Sequence, residues 1–503
     1  MTHTYITTTI PYVNARPHLG FALELVQADV LARHHRGRGA SVRFQTGTDD
    51  NSLKNVLAAE RAGIGVRQFV EANAAAFTAL PRPLSLSVDD VLHTGSDARH
   101  RPGVEALWRA CAASDDLYRK HYDGLYCVGC EQFYTPAELT GGRCREHDTE
   151  PQRISEINWF FRLSRYADRL LDLITADVIR IEPAERRNEV LAFIAAGLED
   201  FSVSRSIGRA RGWGIPVPGD PDQVIYVWWD ALGNYLTALG YGSGGAGVRR
   251  WWTEADQRIH LIGKGVIRFH AVYWPAILLS AGQALPTHIH VHDYLTVDGR
   301  KISKSAGTAI GPIELADRYG TDAVRWWLLR EPPRVGDVDF TVDRLVHRAD
   351  TELANGIGNL VNRTLGLVHR YRHGRPLGAE VAVPQAEGLL RAIDEVGVCV
   401  DSALADFDFR RATGAIWAIA VEANRYIQVI RPWELGAAEG HGGVSSELDV
   451  VLATLLRACH AIAVALEPFL PDLAARIVEQ CTPRAGLLPP PGPIQPRLAN
   501  PHR

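Results

Sequence analysis

Lysine is nearly missing from this 503-residue chain. Only five of its 54 basic residues are lysine; arginine supplies the rest. Methionine occurs once, at position 1, which biased codon usage explains better than any role. Cysteine is sparse and odd in number, seven in all, with Cys127, Cys130 and Cys144 close together. That count suits a reducing cytosol and a metal site better than a disulfide framework. No apolar run reaches the roughly 18 residues that a bilayer span requires, and Met1-Thr-His-Thr leads straight into a strand pattern with no signal peptide before it. Net charge is also small, −4 by formal count. This excludes a surface coated in nucleic-acid-binding charge but leaves room for a local basic face. A chain of this length buries a sizeable core over two or three domains.

Against that arginine bias, two of the five lysines share the pentapeptide Lys301-Ile302-Ser303-Lys304-Ser305, between Gly299 and Gly307. A compact, mobile ammonium can swing onto a phosphate where a planar guanidinium cannot; a solvated basic loop reads equally well from these residues alone. Near the N-terminus, Tyr5-Ile-Thr-Thr-Thr-Ile10 is a β-branched run that predicts a buried strand. Pro11 to Pro17 is a turn, and His18-Leu19-Gly20-Phe21 opens a helix expected from about Ala22 to His35. Strand, turn and helix start make an anion site, with free backbone N–H groups and the positive end of the macrodipole facing the ligand. Gly20 would admit a nucleotide close to the backbone, and His18 can donate to a phosphate oxygen.

Together the two segments resemble the paired signatures of class I aminoacyl-tRNA synthetases: His18-Leu19-Gly20 the start of the HIGH motif, Lys301 to Ser305 the KMSKS motif. Further segments resemble the methionyl-tRNA synthetases in order along nearly the whole chain. They are Pro11-Tyr12-x-Asn14, Thr46-Gly47-Thr48-Asp49, Tyr226-Val-Trp228-Trp-Asp230-Ala231, Gly263-Lys264, Phe269-His270, Trp274-Pro275 and Gly358-Asn359-Leu-x-Asn362-Arg363. The resemblance implies a Rossmann-like doubly wound parallel α/β sheet with a zinc-knuckle insertion, followed by an α-helical bundle. It implies activation of methionine by ATP with Mg²⁺, then transfer to the 3′ end of a methionine tRNA.

The pattern along the chain divides it into a first catalytic half (1–113), an irregular, aromatic-rich connective insertion (114–225), a second catalytic half (226–350) and helices with a Pro-rich tail (351–503). Helical stretches are expected at 322–330, 353–369, 386–407, 410–430 and 448–466. Within the insertion, Cys127-x-x-Cys130 and, thirteen residues on, Cys144-x-x-His147 supply three thiolates and an imidazole, a closed tetrahedral set for structural zinc; the family's knuckle matches these ligands. Cys111, Cys399, Cys459 and Cys481 read as isolated packing residues.

By the same resemblance, His18, Lys301 and Lys304 stabilise charge in the transition state. His18, Gly20, Lys264, Lys301, Ser303 and Lys304 hold ATP. Ile10, Tyr12, Trp228, Ala231, Leu232, Tyr235 and His270 line the amino-acid pocket, and Asp49 takes the α-ammonium group. A thioether suits such an aromatic slot through sulfur–ring contacts. Without the family, Trp228 and Tyr235 read equally as core aromatics and Asp49 as a helix cap. Asn359, Asn362, Arg363 and Trp433 match the anticodon-reading positions, where an unpaired base stacks on an indole. No appended dimerisation domain is visible, so a monomer is expected.

The chain departs from the family around ATP. Phe21 replaces the second His of the signature, Asp50-Asn51-Ser52 replaces Glu-His-Gly, Gly265 replaces Asp, and Thr308 replaces Asn. The departures leave two alternatives beside the working ligase: a paralogue activating a related amino acid for a biosynthetic pathway, and a non-catalytic tRNA-binding regulator.

Overall fold

The protein, described here from a computed structural model, is resolved into elements over residues 2–129, 132–145, 148–302, 311–376, 384–439 and 446–498. Contacts divide the chain into two compact units. One contains Met1–Pro17, His35–Pro81 and Ser87–His292; the other contains His18–His34, Arg82–Leu86 and Asp293–Arg503.

The first unit is built on a six-stranded sheet of β1 (His3–Thr8), β2 (Ser41–Thr48), β3 (Asp90–His93), β4 (Arg180–Glu182), β5 (Gln257–Gly263) and β6 (His288–His292). Their order is β3-β2-β1-β5-β6-β4, and every pairing is parallel. Tyr5, Ile6, Thr7 and Thr8 are all buried because β1 lies inside the sheet with both faces covered. The β-branched run is therefore a strand, as its composition predicts, but it ends at Thr8, leaving Ile10 in the following loop.

Helices α1 (Leu19–Gly37), α2 (Leu53–Ala62), α3 (Val66–Thr78), α4 (His100–Ala113) and α5 (Val227–Thr237) follow strands or flank them in sequence. The insertion is not irregular. Strands 117–127, 132–134, 152–161 and 201–202 form an antiparallel sheet, and 204–206, 216–217 and 220–225 form a second. Their long-range partners gave no local signal. Likewise β4, only three residues long, leaves the insertion to edge the parallel sheet beside β6.

The second unit is mainly helical: α6 (Thr321–Arg330), α7 (Asn359–Arg372), α8 (Glu387–Ala405), α9 (Phe409–Ile430), α10 (Pro432–Glu439), α11 (Ser446–Leu466) and α12 (Pro471–Cys481). The helix expected over 353–369 starts earlier and differently, as a π-helical segment, Ala349–Gly358, that runs into α7. By length and composition Glu447–Leu466 does pass for a membrane span, against the sequence expectation; it is 61% buried in the fold, as the core helix of a bundle is. Cys459 and Cys481 are not isolated either, since their buried thiols hydrogen-bond each other, and Cys399 is exposed instead of packed.

One ionic hub organises this unit. The Arg325 side chain is fully buried, 2.8 Å from Asp29, itself fully buried on α1. It also donates to the carbonyls of Leu84 (2.9 Å), Phe469 (2.7 Å) and Pro468 (3.2 Å). A planar guanidinium with five fixed donors satisfies three chain segments at once, which lysine could not do. Replacing Arg325 by Met should destabilise this unit by about 3 kcal/mol or more, because the carbonyls stay buried after losing their donor and Asp29 keeps only its second cation, Arg33, at 2.9 Å. The urea midpoint measures this, and adding Asp29→Leu should recover part of the loss.

Candidate active site

The site in the first unit grows from the carboxyl ends of β1, β2 and β5. Beyond β1, Tyr12 pairs with Asp49, the residue after β2, in a single parallel bridge, and the Asp49 N–H donates to Pro11 O at 2.9 Å. These bonds set the Tyr12 ring and the buried Asp49 carboxyl on adjacent chains. Helix α5 adds Trp228, Ala231, Leu232 and Tyr235, spaced i, i+3, i+4 and i+7 and so on one face. His270 lies in the π-helical turn Phe269–Tyr273.

The aromatic contacts show which predicted residues meet. Tyr12 meets Trp228 edge-on at 6.4 Å between ring centroids, and Trp228 stacks on Phe269 at 3.8 Å. The Tyr235 hydroxyl lies 2.8 Å from His270 Nε2, and His270 Nδ1 lies 3.0 Å from Val266 O. A carbonyl only accepts, so Nδ1 carries the proton and Nε2 accepts from Tyr235. Ala231 and Leu232 are buried beside them, while Trp228 is half-buried and so can face a ligand. Ile10 reaches Gly47, where an added Cβ would lie 3.0 Å from Ile10 Cγ2 and 2.2 Å from Leu92 O. Gly47 is required by that close approach. Phe269, the stacking partner of Trp228, was missed as a pocket residue although the Phe-His pair was recognised as a motif.

Behind the slot, His260 on β5 accepts from Trp274 Nε1 at 3.2 Å through Nε2, so its Nδ1–H donates to Thr7 Oγ1 at 2.6 Å. Burial, with the neighbouring His270 and Arg258 adding to it, holds the His260 imidazole well below the usual histidine range. It is therefore a neutral ring packed 4.3 Å from Tyr235.

The unusual tripeptide after Asp49 has structural work. The Asp50 carboxylate accepts from Thr48 Oγ1 (2.8 Å) and Gly95 N (3.1 Å). Asn51 Nδ2 donates to Asp230 Oδ2 at 2.7 Å, tying the loop to α5, where Asp230 also bonds His100. Ser52 caps α2 by accepting from Lys54 N at 3.0 Å. Lys54 itself sits with Nζ 4.8 Å over the Tyr12 ring. The sequence reading passed it over, although lysine's scarcity was the signal that could have found it.

Other predicted residues fall elsewhere. His18, Gly20 and Lys301 belong to the second unit, and Lys264 to the first. The His18 carbonyl accepts from Phe21 N (3.0 Å) and Ala22 N (3.3 Å), starting α1. An added Cβ at Gly20 would lie 3.1 Å from the His18 ring, so the glycine here makes room for the imidazole. Phe21 is buried, 8% exposed, as an apolar side chain on α1. Lys264 begins a short 3₁₀ turn after β5, with Gly265 exposed beside it. Lys301 pairs through its backbone with Thr296 in a hairpin turned by Asp298 and Gly299. Both turn residues have positive φ, 52° and 69°, as a two-residue hairpin turn of this kind requires. Ser303, Lys304 and Thr308 lie outside the described residues.

Cys127 and Cys144 are each 1% exposed, and Cys144 follows a turn through Gly141 and Gly142, both at positive φ. Two buried thiols set by such a turn fit a thiolate metal site; Cys130 and His147 lie outside the described residues. On α7, Asn359 is exposed and Asn362 and Arg363 half-exposed, on one face by spacing. Trp433, on α10, is 38% exposed. Helices α7 and α10 approach closely at Gly436, where an added Cβ would lie 2.2 Å from the Tyr371 ring.

Burial also holds His288 low, at about 4, against an ordinary value of 6.5, with Arg180 adding to the effect. His260 and His288 thus bind fewer protons folded than unfolded. Their contribution to stability should be complete above about pH 6.5 and fall as pH drops towards 4. Urea midpoints across that range measure the slope, which should be shallower in His288→Asn.

Comparison with known proteins agrees with this geometry. Residues 4–158 and 130–365 match the family model described as tRNA synthetases class I (M). The chain is 38% identical over 486 residues to the methionine–tRNA ligase of Brucella suis biovar 1, covering 94% of this chain and 91% of that one. It is 39% identical over 489 residues to the Mycobacterium tuberculosis methionine–tRNA ligase, with the same two coverages. A solved structure of Mycobacterium tuberculosis methionyl-tRNA synthetase in complex with methionyl-adenylate superposes with a TM-score of 0.91 at 37% identity, over 99% of this chain and 100% of that one. With the parallel sheet, the aromatic slot and the ordered motifs in agreement, the chain belongs to the class I (M) tRNA synthetases.

Proposed function

We propose that this chain is a methionine–tRNA ligase, an ATP-dependent enzyme that forms methionyl-adenylate and transfers the methionyl group to the 3′ end of methionine tRNA. The observation that carries this reading is the slot of Tyr12, Trp228, Tyr235 and His270 beside the buried Asp49, in a chain similar over nearly its full length to proteins that bear that name. The relatives do not favour the biosynthetic or the non-catalytic alternative.

An unbranched thioether fits the ring-lined slot, with Leu232 and Ala231 as its apolar wall. Asp49 takes the α-ammonium group, leaving the carboxylate of the amino acid to attack the α-phosphate of ATP. A carboxylate is already nucleophilic, so no general base is required. Rate comes from orientation and from charges that meet the transition state, the roles given to His18, Lys301 and Lys304. Gly20, Lys264 and Ser303 complete the ATP site, and magnesium carried by the nucleotide offsets phosphate charge. Asn359, Asn362, Arg363 and Trp433 read the anticodon, Trp433 by stacking. Structural zinc on Cys127, Cys130, Cys144 and His147 closes the insertion's knuckle, supplying cross-links in place of a core. The enzyme acts as a monomer in the reducing cytosol.

Methionine-dependent ATP–pyrophosphate exchange, followed by charging of methionine tRNA, tests the proposal; exchange with a different amino acid alone would refute it. Asp49→Asn should raise the methionine KM by about a hundredfold, since a hydrogen bond to a charged group contributes roughly 1.5–3 kcal/mol. Elemental analysis should find about one zinc per chain, lost in Cys144→Ala.

A further inference from the structure

A cavity of about 510 Å³ is lined in part by Asp50, the residue after Asp49. Asp50 lies in its floor, 2% exposed; α3 forms one wall with Val70, Ala74 and Ala75, Trp213 stands opposite as a half-buried indole, and Arg67 is exposed at the rim. None of these residues has a role in the reading above.

The donors and acceptors there decide what the cavity can take. Trp213 Nε1 already donates to Asp50 O at 2.8 Å, so the indole offers a ligand only its π surface. Thr48 Oγ1 donates to Asp50 and is itself 2.6 Å from His93 Nδ1, which therefore donates to it. His93 Nε2 lies 3.2 Å from Thr78 Oγ1, whose single proton the Ala74 carbonyl also accepts at 3.2 Å. The Asp50 carboxylate receives two hydrogen bonds, from Thr48 and Gly95, out of about four it can accept. Its remaining capacity demands N–H donors from a ligand. A lone ammonium would leave most of the volume empty. A flat base with an exocyclic amine fits instead: it can slide between the indole and the alanine wall and donate to Asp50. Its phosphate would then face Arg67, while Glu71, also at the rim, can accept from ribose hydroxyls.

We infer that this cavity is a subsite for an unpaired, amine-bearing nucleotide of the tRNA strand whose end is acylated. Asp50 in the cavity follows Asp49 directly, so the cavity adjoins the residue given to the amino acid, where the terminal adenosine must be presented. A base seated here would anchor the strand while the end reacts. The inference rests on the ligase reading.

Two measurements test it. Binding of a cytidine trinucleotide and a uridine trinucleotide to the full-length protein needs no catalysis; uridine lacks the exocyclic amine. The cytidine trinucleotide should bind about tenfold more tightly, and Ala75→Trp, an exposed position whose new side chain fills the cavity, should abolish binding. Equal binding of the two, or binding that survives Ala75→Trp, overturns the inference whatever the enzyme's activity. In charging assays, Ala75→Trp and Arg67→Glu should each raise the KM for tRNA about tenfold with tRNA-independent exchange unchanged. Charging that is unaffected, or exchange that falls in parallel with it, also overturns the inference. Failure of exchange in the unaltered protein would count against the ligase reading alone.

Discussion

The parallel pairing of β1 with β2 on one side and β5 on the other is the constraint from which the site follows. Strand order runs outward from β1 in both directions, so successive connections leave its carboxyl end on diverging paths and open a crevice there. Asp49 and Lys264 come directly after β2 and β5, and Tyr12 lies in the loop that follows β1. Backbone hydrogen bonding thus brings together residues more than two hundred positions apart, before any side chain makes a contact. The Tyr12–Asp49 bridge continues the same pairing one step into the loops, which is why these two residues stand side by side.

Side-chain networks then make that crevice stiff. The Tyr235–His270–Val266 chain fixes one wall, neutral His260 backs it without introducing charge, and Gln45 Nε2 reaches Asn234 on α5 at 2.9 Å. These bonds hold that wall in place without a ligand. In the other unit Arg325 does the equivalent work with a single cation, satisfying a carboxylate and three carbonyls at once. Arginine's abundance in the composition finds its physical use there: fixed, planar, multidentate contacts.

The departures from the family gain a reason in the fold. Asn51 and Ser52 are integrated, one bonding to Asp230 and the other capping α2. Phe21 is buried on α1 and contributes packing where the family has an imidazole. Gly20 serves His18 by leaving it space.

Much of this was legible in the residues themselves. The β-branched run of β1, the helical spacing of Trp228, Ala231, Leu232 and Tyr235, and the long helices of the C-terminal region are local patterns, set by side-chain periodicity and backbone preference. Motif order carried the family. What local pattern could not carry were features whose partners are remote. The three-residue β4, the two sheets of the insertion, the stack of Trp228 on Phe269, Lys54 over Tyr12, and the cavity behind Asp50 all arise from contacts between distant segments. The sequence by itself determined the long strands and helices with a local pattern and the residue types that could do the chemistry. Only the tertiary structure decided which of them meet, because burial and hydrogen-bond partnership depend on a neighbour's position in space and not along the chain.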